Sequence, residues 1–265
     1  MYFGKAVHTR IVKDTFEFCE NIDACAAECD ITGSYMCSFD VTSLFTNIPL
    51  RETVQLCLDA LYRDQDTVNC KPPLPEAEFA KLLYNATTDV EFSFNGKIYR
   101  QIDGVAMGSL LGPVLANIFV GHCELRVDPE KWPMFYNRFV DDTFTIFPSK
   151  EESDSFFEVL NSMHPALKFT VEGECDDRLP FMDVLVERVG GDLLRSVYRK
   201  PSFTGVYTRW DSFAPTSHKI NLIKSLTLRS MRICTPSRLG DEVAKLREIF
   251  VKNGYPSQLV NTENN

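Results

Sequence analysis

The stretch that decides the fold is Arg138–Phe147, RFVDDTFTIF, in which two apolar runs meet at the adjacent carboxylates Asp141 and Asp142. The alternation of residue types on both sides predicts paired strands at 135–140 and 143–147, joined by a tight turn. Adjacent aspartates also end strands simply because aspartate favours turns. FVDD alone therefore does not distinguish a metal site from an ordinary hairpin, and other segments have to decide.

A second strand-ending carboxylate lies far upstream, in Cys37–Pro49, CSFDVTSLFTNIP, where a β-prone run reaches Asp40 and then turns polar. Nucleotidyl transfer in two-metal sites needs carboxylates from separate strands to hold two Mg²⁺ ions about 3.5–4 Å apart. Asp40 and Asp141 would meet that need if their strands are neighbours. Two unrelated aspartates at strand ends are the alternative interpretation.

A glycine-rich segment lies between these carboxylates, Asp103–Phe119, DGVAMGSLLGPVLANIF. Glycines let the backbone approach a ligand closely. Pro113 suits the first turn of a helix, and the amino end of a helix favours an anionic ligand. A simple structural joint before a helix is the alternative.

Taken in this order, the three segments resemble the palm of a reverse transcriptase, with Phe39–Val41, Met107–Asn117 and Phe139–Asp142 as its successive motifs. Further segments are similar to the reverse transcriptases of Penelope-like retroelements: Ser43–Pro49, Val114–Phe119, Leu179–Val184 and Val197–Pro201. The resemblance spans roughly residues 35–235 and rests on motifs in a fixed order. It implies an RNA-directed DNA polymerase that uses an RNA template, a DNA primer and deoxynucleoside triphosphates.

The resemblance also assigns the metal site. It implies that Asp40 and Asp141 bind two Mg²⁺ ions, for which Mn²⁺ is a substitute, and that the carbonyl of Val41 adds an oxygen ligand. Asp142 is the neighbouring acid of the same catalytic motif. A nucleotide would then pass from the triphosphate to the primer 3′-hydroxyl by two-metal chemistry.

The nucleotide site follows from the same resemblance. Phe45 falls where the family has the aromatic ring that packs beneath the sugar and excludes a 2′-hydroxyl, which favours deoxynucleotides. Met107 and Gly108 would line the nascent base pair. Lys168 matches the lysine that protonates the departing pyrophosphate, although a lysine at the start of a strand is otherwise a solvated side chain.

Charge is distributed unevenly along the chain. The formal net charge is −9, which argues against a protein that binds nucleic acid over its whole surface. Residues 195–252 nevertheless hold 12 Lys and Arg against 4 Asp and Glu. This basic segment fits a thumb that grips phosphates, and a solvated basic helix face is the alternative. The residues expected against primer or template are Tyr198, Arg199, Lys200, His218 and Lys219.

Composition places the chain among globular proteins, with 44% hydrophobic and 25% charged residues in 265. The nine cysteines lack the paired spacing of a zinc module, and the four histidines lack helical ligand spacing. No signal-type segment or long apolar run is present. We therefore expect an intracellular protein, nuclear or cytoplasmic, that does not enter a membrane; its oligomeric state is not predicted.

The order of predicted elements indicates an α+β fold, a polymerase palm with a ferredoxin-like antiparallel sheet and helices on one face, followed by a mostly helical thumb. Asn95–Gly96 is the strongest short turn signal and predicts a hairpin of 90–94 with 97–101. The predicted domains are 1–34, a remnant of the fingers or a helical lead-in; 35–189, the palm; 190–260, the thumb and primer-holding region; and 261–265, a disordered tail.

The chain departs from the family pattern in three ways. Leu110 and Gly112 stand where Penelope-like enzymes have proline and serine in this loop. Little sequence precedes Asp40, so the fingers are expected to be truncated, and no GIY-YIG endonuclease is expected after the thumb. These departures predict weak polymerisation by this chain alone. A non-catalytic nucleic-acid-binding remnant is the first alternative, and an acidic metal-binding or scaffold protein unrelated to polymerases is the second.

Overall fold

The computed structural model describes residues 10–63, 72–88, 90–106 and 108–263. The helices, in chain order, are α1 Thr15–Glu28, α2 Leu44–Asn47, α3 Leu50–Tyr62, α4 Glu76–Thr87, α5 Gly112–Glu124, α6 Lys150–Ser162, α7 Thr216–Ile233, α8 Pro236–Lys252 and α9 Ser257–Glu263. The strands are β1 Tyr35–Val41, β2 Glu91–Phe94, β3 Lys97–Arg100, β4 Phe135–Phe139, β5 Asp142–Phe147, β6 Phe169–Gly173, β7 Arg178–Phe181, β8 Val184–Val189 and β9 Asp192–Val197.

These elements form two compact units. Residues 10–12 together with the described part of Cys37–Glu172 form the first unit, and Lys13–Met36 with the described residues from Gly173 onward form the second. The predicted domains divide the chain at other places, since 13–34 and 173–189 pack within the second unit. Those functional boundaries stay a prediction.

The first unit is built on a four-stranded sheet with the order β4-β5-β1-β6. Strands β4 and β5 are antiparallel, with Phe135 opposite Ile146 and Phe139 opposite Asp142. The joining of β1 by helices to a hairpin, then by α6 to β6, together with this strand order, is the ferredoxin-like arrangement. The sequence-based expectation of an α+β fold is confirmed.

The core of this sheet is aromatic. Phe39 of β1 is fully buried, and its ring centroid lies 6.3 Å from that of Phe147 in β5 and 6.0 Å from that of Phe156 in α6. Each fully buried side chain of this size contributes roughly 1.5–3 kcal/mol. The strand ends that carry carboxylates are therefore attached to a well-packed base.

Helix α3 precedes the glycine-rich segment in the chain, and α5 begins within it. In α3 the buried residues Leu50, Val54 and Leu58 recur at helical spacing, which gives one apolar face, and α3 packs against α5. Pro113 occupies the first turn of α5 as expected. The hairpin β2–β3 forms a separate two-stranded sheet.

The second unit combines α1, the antiparallel sheet β7-β8-β9 and the helices α7, α8 and α9. Asp14 caps α1 by accepting hydrogen bonds from the backbone of Phe16 and Glu17, each at 2.9 Å. The helical core consists of Ile223, Leu246, Phe250, Tyr255 and Val260, with Trp210, Leu222, Leu226 and Leu259 packed on it. This arrangement confirms the expectation of a mostly helical carboxy-terminal part.

The last helix reaches close to the end of the chain. Residues 261–263 belong to α9, while 264–265 lie outside the described residues, and the disordered tail stays a prediction. The anchor of α9 is Val260, which is buried in the helical core. Within the described part of the chain, no helix is both long and apolar enough to cross a bilayer.

Candidate active site

The two predicted metal-binding carboxylates lie at one edge of the first unit's sheet. Asp40 is the penultimate residue of β1, and Asp141 lies in the turn between β4 and β5. The amide of Val41 donates to the carbonyl oxygen of Asp141 at 2.9 Å, which fastens the end of β1 to the turn. Burial, and then the negative charge of Asp141, raise the pKa of Asp40. The two carboxylates are thus close enough to repel one another.

Asp142 has different surroundings. It begins β5, and its Oδ1 accepts a hydrogen bond from Ser38 Oγ at 2.8 Å. Burial, opposed by this hydrogen bond but reinforced by the charges of Asp40 and Asp141, raises the pKa of Asp142 to about 6. Ser38 was missed at the sequence level, although it lies two residues before Asp40 in the same strand and therefore on the same face.

The turn that carries Asp141 is strained. Because Phe139 pairs with Asp142, only Val140 and Asp141 connect the strands. Val140 has a φ of 59°, in the left-handed region, where a β-branched residue is an outlier. That conformation costs about 1–2 kcal/mol. Strain of this kind collects at functional sites where the surroundings over-determine it.

Phe45 and the glycine-rich segment are in contact. The carbonyl of Phe45 accepts a hydrogen bond from Val105 N at 2.7 Å. A Cβ on Gly112 would lie 3.3 Å from the Phe45 ring, and one on Gly104, whose φ is +75°, would lie 2.6 Å from Thr46 O. Both glycines therefore allow a close approach. A side chain at position 112 would need the Phe45 ring to shift by a few tenths of an ångström.

The other residues of the predicted nucleotide site are Gly108, Met107 and Lys168, and their roles stay predictions. Gly108 is exposed, with a φ of +88° and open space where a Cβ would lie. Met107 lies outside the described residues. Lys168 is exposed immediately before β6, and its carbonyl accepts a hydrogen bond from Thr42 N at 2.8 Å. Strand pairing therefore brings Lys168 next to the end of β1 that carries Asp40, and its role as an acid stays a prediction.

The described residues contain no group of three or more His, Cys, Asp or Glu side chains arranged to hold a metal. Mg²⁺, however, takes one or two protein carboxylates and completes its shell with waters and substrate phosphates. Asp40 and Asp141 supply two carboxylates whose mutual repulsion a cation would relieve. This donor set fits Mg²⁺, whereas Asp142 is held by Ser38.

The predicted primer and template residues fall into two groups. Arg199 forms a nearly buried ion pair with Glu242, with Nη1 2.8 Å from Oε2. Lys219 is only 6% exposed, and its Nζ donates to the carbonyls of Trp210 at 2.6 Å and Ser212 at 2.8 Å. Both cations make their contacts inside the second unit, and their contact with primer or template phosphates stays a prediction. A lone sequence could not reveal this, because burial of a cation depends on distant partners.

The other group stays available. Lys200 and His218 are exposed, and Tyr198 is half-buried with its amide bonded to Asp183 O at 2.8 Å. Two aromatic residues of the same unit contact the helical core. Trp210 packs on it with its ring 5.3 Å from that of Tyr255. The Tyr207 ring lies 6.3 Å from that of Phe250.

Comparisons with known proteins were made for the sequence and for the fold. Residues 206–265, which include α7, α8 and α9, match a family described as the animal helix-turn-helix domain. This match covers less than half of the chain. No curated protein matches the sequence.

Solved telomerase structures share the fold. The structure of Candida albicans telomerase in complex with a TWJ fragment of telomeric RNA superposes with a TM-score of 0.66 at 11% identity, over 94% of this chain and 45% of that one. Apo telomerase from Candida tropicalis gives 0.59 at 11% identity, over 97% and 47%. The chain thus spans less than half the length of these telomerase chains. The fold is reverse-transcriptase-like, with the mixed α+β architecture of the palm and thumb regions of telomerase.

Proposed function

We propose that this chain is the palm and thumb of an RNA-directed DNA polymerase from a Penelope-like retroelement. The observation that carries the proposal is the meeting of Asp40 and Asp141 at one sheet edge, with the Val41 amide bonded to Asp141 O. The reverse-transcriptase-like fold supports it. The reaction is attack of a primer 3′-hydroxyl on the α-phosphate of a deoxynucleoside triphosphate, directed by an RNA template.

In this proposal Asp40 and Asp141 hold Mg²⁺, or Mn²⁺ as a substitute, with the Val41 carbonyl as a further ligand. Bound metal supplies a lowered pKa of the primer hydroxyl and neutralisation of the triphosphate. Asp142 keeps negative charge behind this pair. The arrangement would act in an intracellular setting, nuclear or cytoplasmic.

The nucleotide would lie between Phe45 and the glycine-rich segment. Phe45, held against Gly112, blocks space that a ribose 2′-hydroxyl would need. Gly108 and Met107 line the base pair in this proposal, and Lys168 gives a proton to departing pyrophosphate. Primer and template phosphates would lie against Tyr198, Lys200 and His218. The match of residues 206–265 to a helix-turn-helix family supports contact of this part with nucleic acid.

The test is incorporation of one labelled deoxynucleotide on a DNA primer paired to RNA, with Mg²⁺ present. Asp141→Asn should lower the rate at least about 100-fold, since the oxygens that bind metal stabilise the transition state. Asp154→Asn, on the exposed surface of α6 in the same unit, is the matched control and should keep the wild-type rate. Equal rates for wild type and Asp141→Asn would contradict the proposal.

A sugar-selectivity assay tests the second part of the site. Phe45→Ala should raise ribonucleotide incorporation relative to deoxynucleotide incorporation, because the ring no longer limits the space at the sugar. An unchanged ratio in a folded variant would remove Phe45 from the assignment.

A non-catalytic nucleic-acid-binding role is the second candidate. It is favoured by the match of residues 206–265 to the helix-turn-helix family. This role predicts binding of an RNA–DNA hybrid that does not change with Mg²⁺ and no nucleotide incorporation in the labelled assay.

A further inference from the structure

Arg138 is a fully buried cation directly before the strained turn. It lies in β4 and ranks among the largest side chains with no exposed surface. Its Nε donates to Glu124 Oε1 at 2.7 Å and its Nη2 to Glu124 Oε2 at 3.1 Å, so the pair is bidentate. Neither side chain is exposed. Such geometry fixes the plane of the guanidinium.

The remaining nitrogen of Arg138 reaches the turn itself. Nη1 donates to the carbonyl oxygen of Val140 at 2.8 Å and to Asn117 Oδ1 at 2.8 Å. Asn117 and Glu124 both lie on α5. Asn117 accepts from Nη1 of the guanidinium, and Glu124 accepts from Nε and Nη2. The helix that follows the glycine-rich segment therefore orients the group that holds the turn.

Both peptide units of the turn are consequently fastened. The carbonyl of Val140 accepts from Arg138, and the carbonyl of Asp141 accepts from the Val41 amide at 2.9 Å. The unfavourable φ of Val140 would otherwise relax. Fixing both carbonyls holds the backbone of Asp141, from which its carboxylate extends, beside the end of β1.

Stability alone does not explain the buried pair. The desolvation of two charges offsets most of their attraction, and apolar residues of the same volume often serve a core equally well. The bond from Nη1 to Val140 is a contact that no apolar residue supplies. Through this contact the buried guanidinium holds the turn, which an apolar side chain could not do.

We propose that Arg138, oriented by Glu124 and Asn117, is the positioning residue that holds the Val140–Asp141 turn in the conformation needed for metal binding. The inference rests on the proposed function for its consequence, since it makes the affinity of the site for divalent metal depend on a side chain that never touches the ion. Outer groups of this kind typically change metal affinity by about 10–100-fold.

Two readouts test the proposal on the full chain. The first is Mn²⁺ affinity, measured by electron paramagnetic resonance. The second is hydrogen exchange of the Val41 amide, compared with that of the Leu115 amide within α5, whose bond to Leu111 O is 2.9 Å. The exchange measurement reports the position of the turn without any metal.

Arg138→Lys keeps the charge but loses the forked geometry. It should weaken Mn²⁺ binding about tenfold and speed Val41 exchange relative to Leu115. Asn117→Ala removes one acceptor of the same nitrogen and should act in the same direction, and it decides the matter if Arg138→Lys does not fold. Phe156→Leu, a buried core change in α6, is the control. It should lower stability without changing the Mn²⁺ affinity or the exchange rate of Val41 relative to Leu115.

The outcomes separate the two proposals. Wild-type exchange of Val41 in folded Arg138→Lys, or in Asn117→Ala should the lysine variant not fold, overturns the positioning role. A second outcome is faster Val41 exchange in these variants together with Mn²⁺ affinity that Asp141→Asn leaves unchanged. It would support the role of Arg138 in fixing the turn, but it would overturn both the metal site and its dependence on Arg138. A third outcome is faster Val41 exchange together with Mn²⁺ binding that is weakened by both Asp141→Asn and Arg138→Lys. It would support both the metal site and the positioning role of Arg138.

Discussion

Two hairpins of the first unit close with two-residue turns but are supported in opposite ways. In β2–β3 the turn residues Asn95 and Gly96 have φ values of 49° and 73°, which both accept readily, while every residue of both strands is exposed. In β4–β5 the turn contains Val140 at 59°, an unsuitable residue. The strands beside that turn are mostly buried.

The difference shows where each hairpin obtains its stability. Asn-Gly turns match the twist of the strands and hold a hairpin locally, but an isolated pair of strands is marginally stable in water. The hairpin β4–β5 gains its stability from the sheet and core, which leave its turn free to adopt a costly conformation. The candidate active site lies at the hairpin with the poorer turn residues.

The test of this contrast with the largest expected effect removes one aromatic ring from each hairpin. Phe144→Ala in β5, where the side chain is fully buried, should lower the free energy of unfolding by about 3–5 kcal/mol. Phe94→Ala in β2, where the ring is 69% exposed, should change it by less than about 0.5 kcal/mol. Urea denaturation of both variants measures the difference. Equal losses would show that β2–β3 is buried in solution.

The ion pair of the buried hairpin should likewise contribute more to the free energy of unfolding than that of the exposed hairpin. Glu124→Gln leaves the buried Arg138 without a counter-charge and should cost about 3 kcal/mol. Glu91→Gln disrupts an exposed pair with Arg100 at 3.5 Å and should cost less than about 0.5 kcal/mol. Urea denaturation again gives the values, and a large loss for Glu91→Gln would contradict the contrast.

The pH dependence of stability should come from the buried hairpin. The pKa of Asp142 is raised to about 6, whereas the unfolded chain ionises near the ordinary value of about 3.9. Between these values the folded state binds more protons, so the free energy of unfolding falls as pH rises, by up to about 2–3 kcal/mol.

Urea denaturation in a chelator across pH 4–7 checks this prediction. Asp142→Asn should flatten the curve, although the raised pKa of Asp40 acts in the same direction and remains. Glu91→Gln is the matched substitution in the exposed hairpin. The prediction fails if Asp142→Asn and wild type have the same slope.

The smallest effects belong to the turns. Gly96→Ala adds a Cβ in open space but at φ +73°, which should lower the stability of β2–β3 by about 1 kcal/mol. Val140→Gly relieves strain and adds chain entropy, so the net change should stay within about 1 kcal/mol. Hydrogen exchange of each hairpin's strand amides measures these effects. A loss well above this for Val140→Gly would mean that its side chain, rather than its backbone, matters.

Sequence patterns predicted the elements that have local signals. The strand ending at Asp40, the β4–β5 hairpin and the Asn95–Gly96 turn are each encoded by alternation or turn chemistry within a few residues. The strand order followed from these elements because few topologies connect them. The meeting of Asp40 with Asp141 was therefore within reach of the sequence.

Long-range burial was not within reach. Arg199 and Lys219 looked like surface cations, but their partners, Glu242 and the carbonyls near Trp210, become neighbours only in the folded unit. No local pattern around Arg138 indicates its role. Its partner Glu124, a lone acid in an apolar helix, was the one available signal, since an unpaired carboxylate in such a position is rare.

The left-handed conformation of Val140 also bears on the order in which the chain folds. Because the left-handed φ of Val140 is unfavourable, the turn does not nucleate the hairpin by itself. We expect β4 and β5 to pair only when β1 and α5 pack on them. The Asn95–Gly96 hairpin can form within about 1–10 μs on its own. We therefore expect the edge that carries Asp40 and Asp141 to be assembled in the last stage of folding, and mutations at Val140 to change the unfolding rate more than the folding rate.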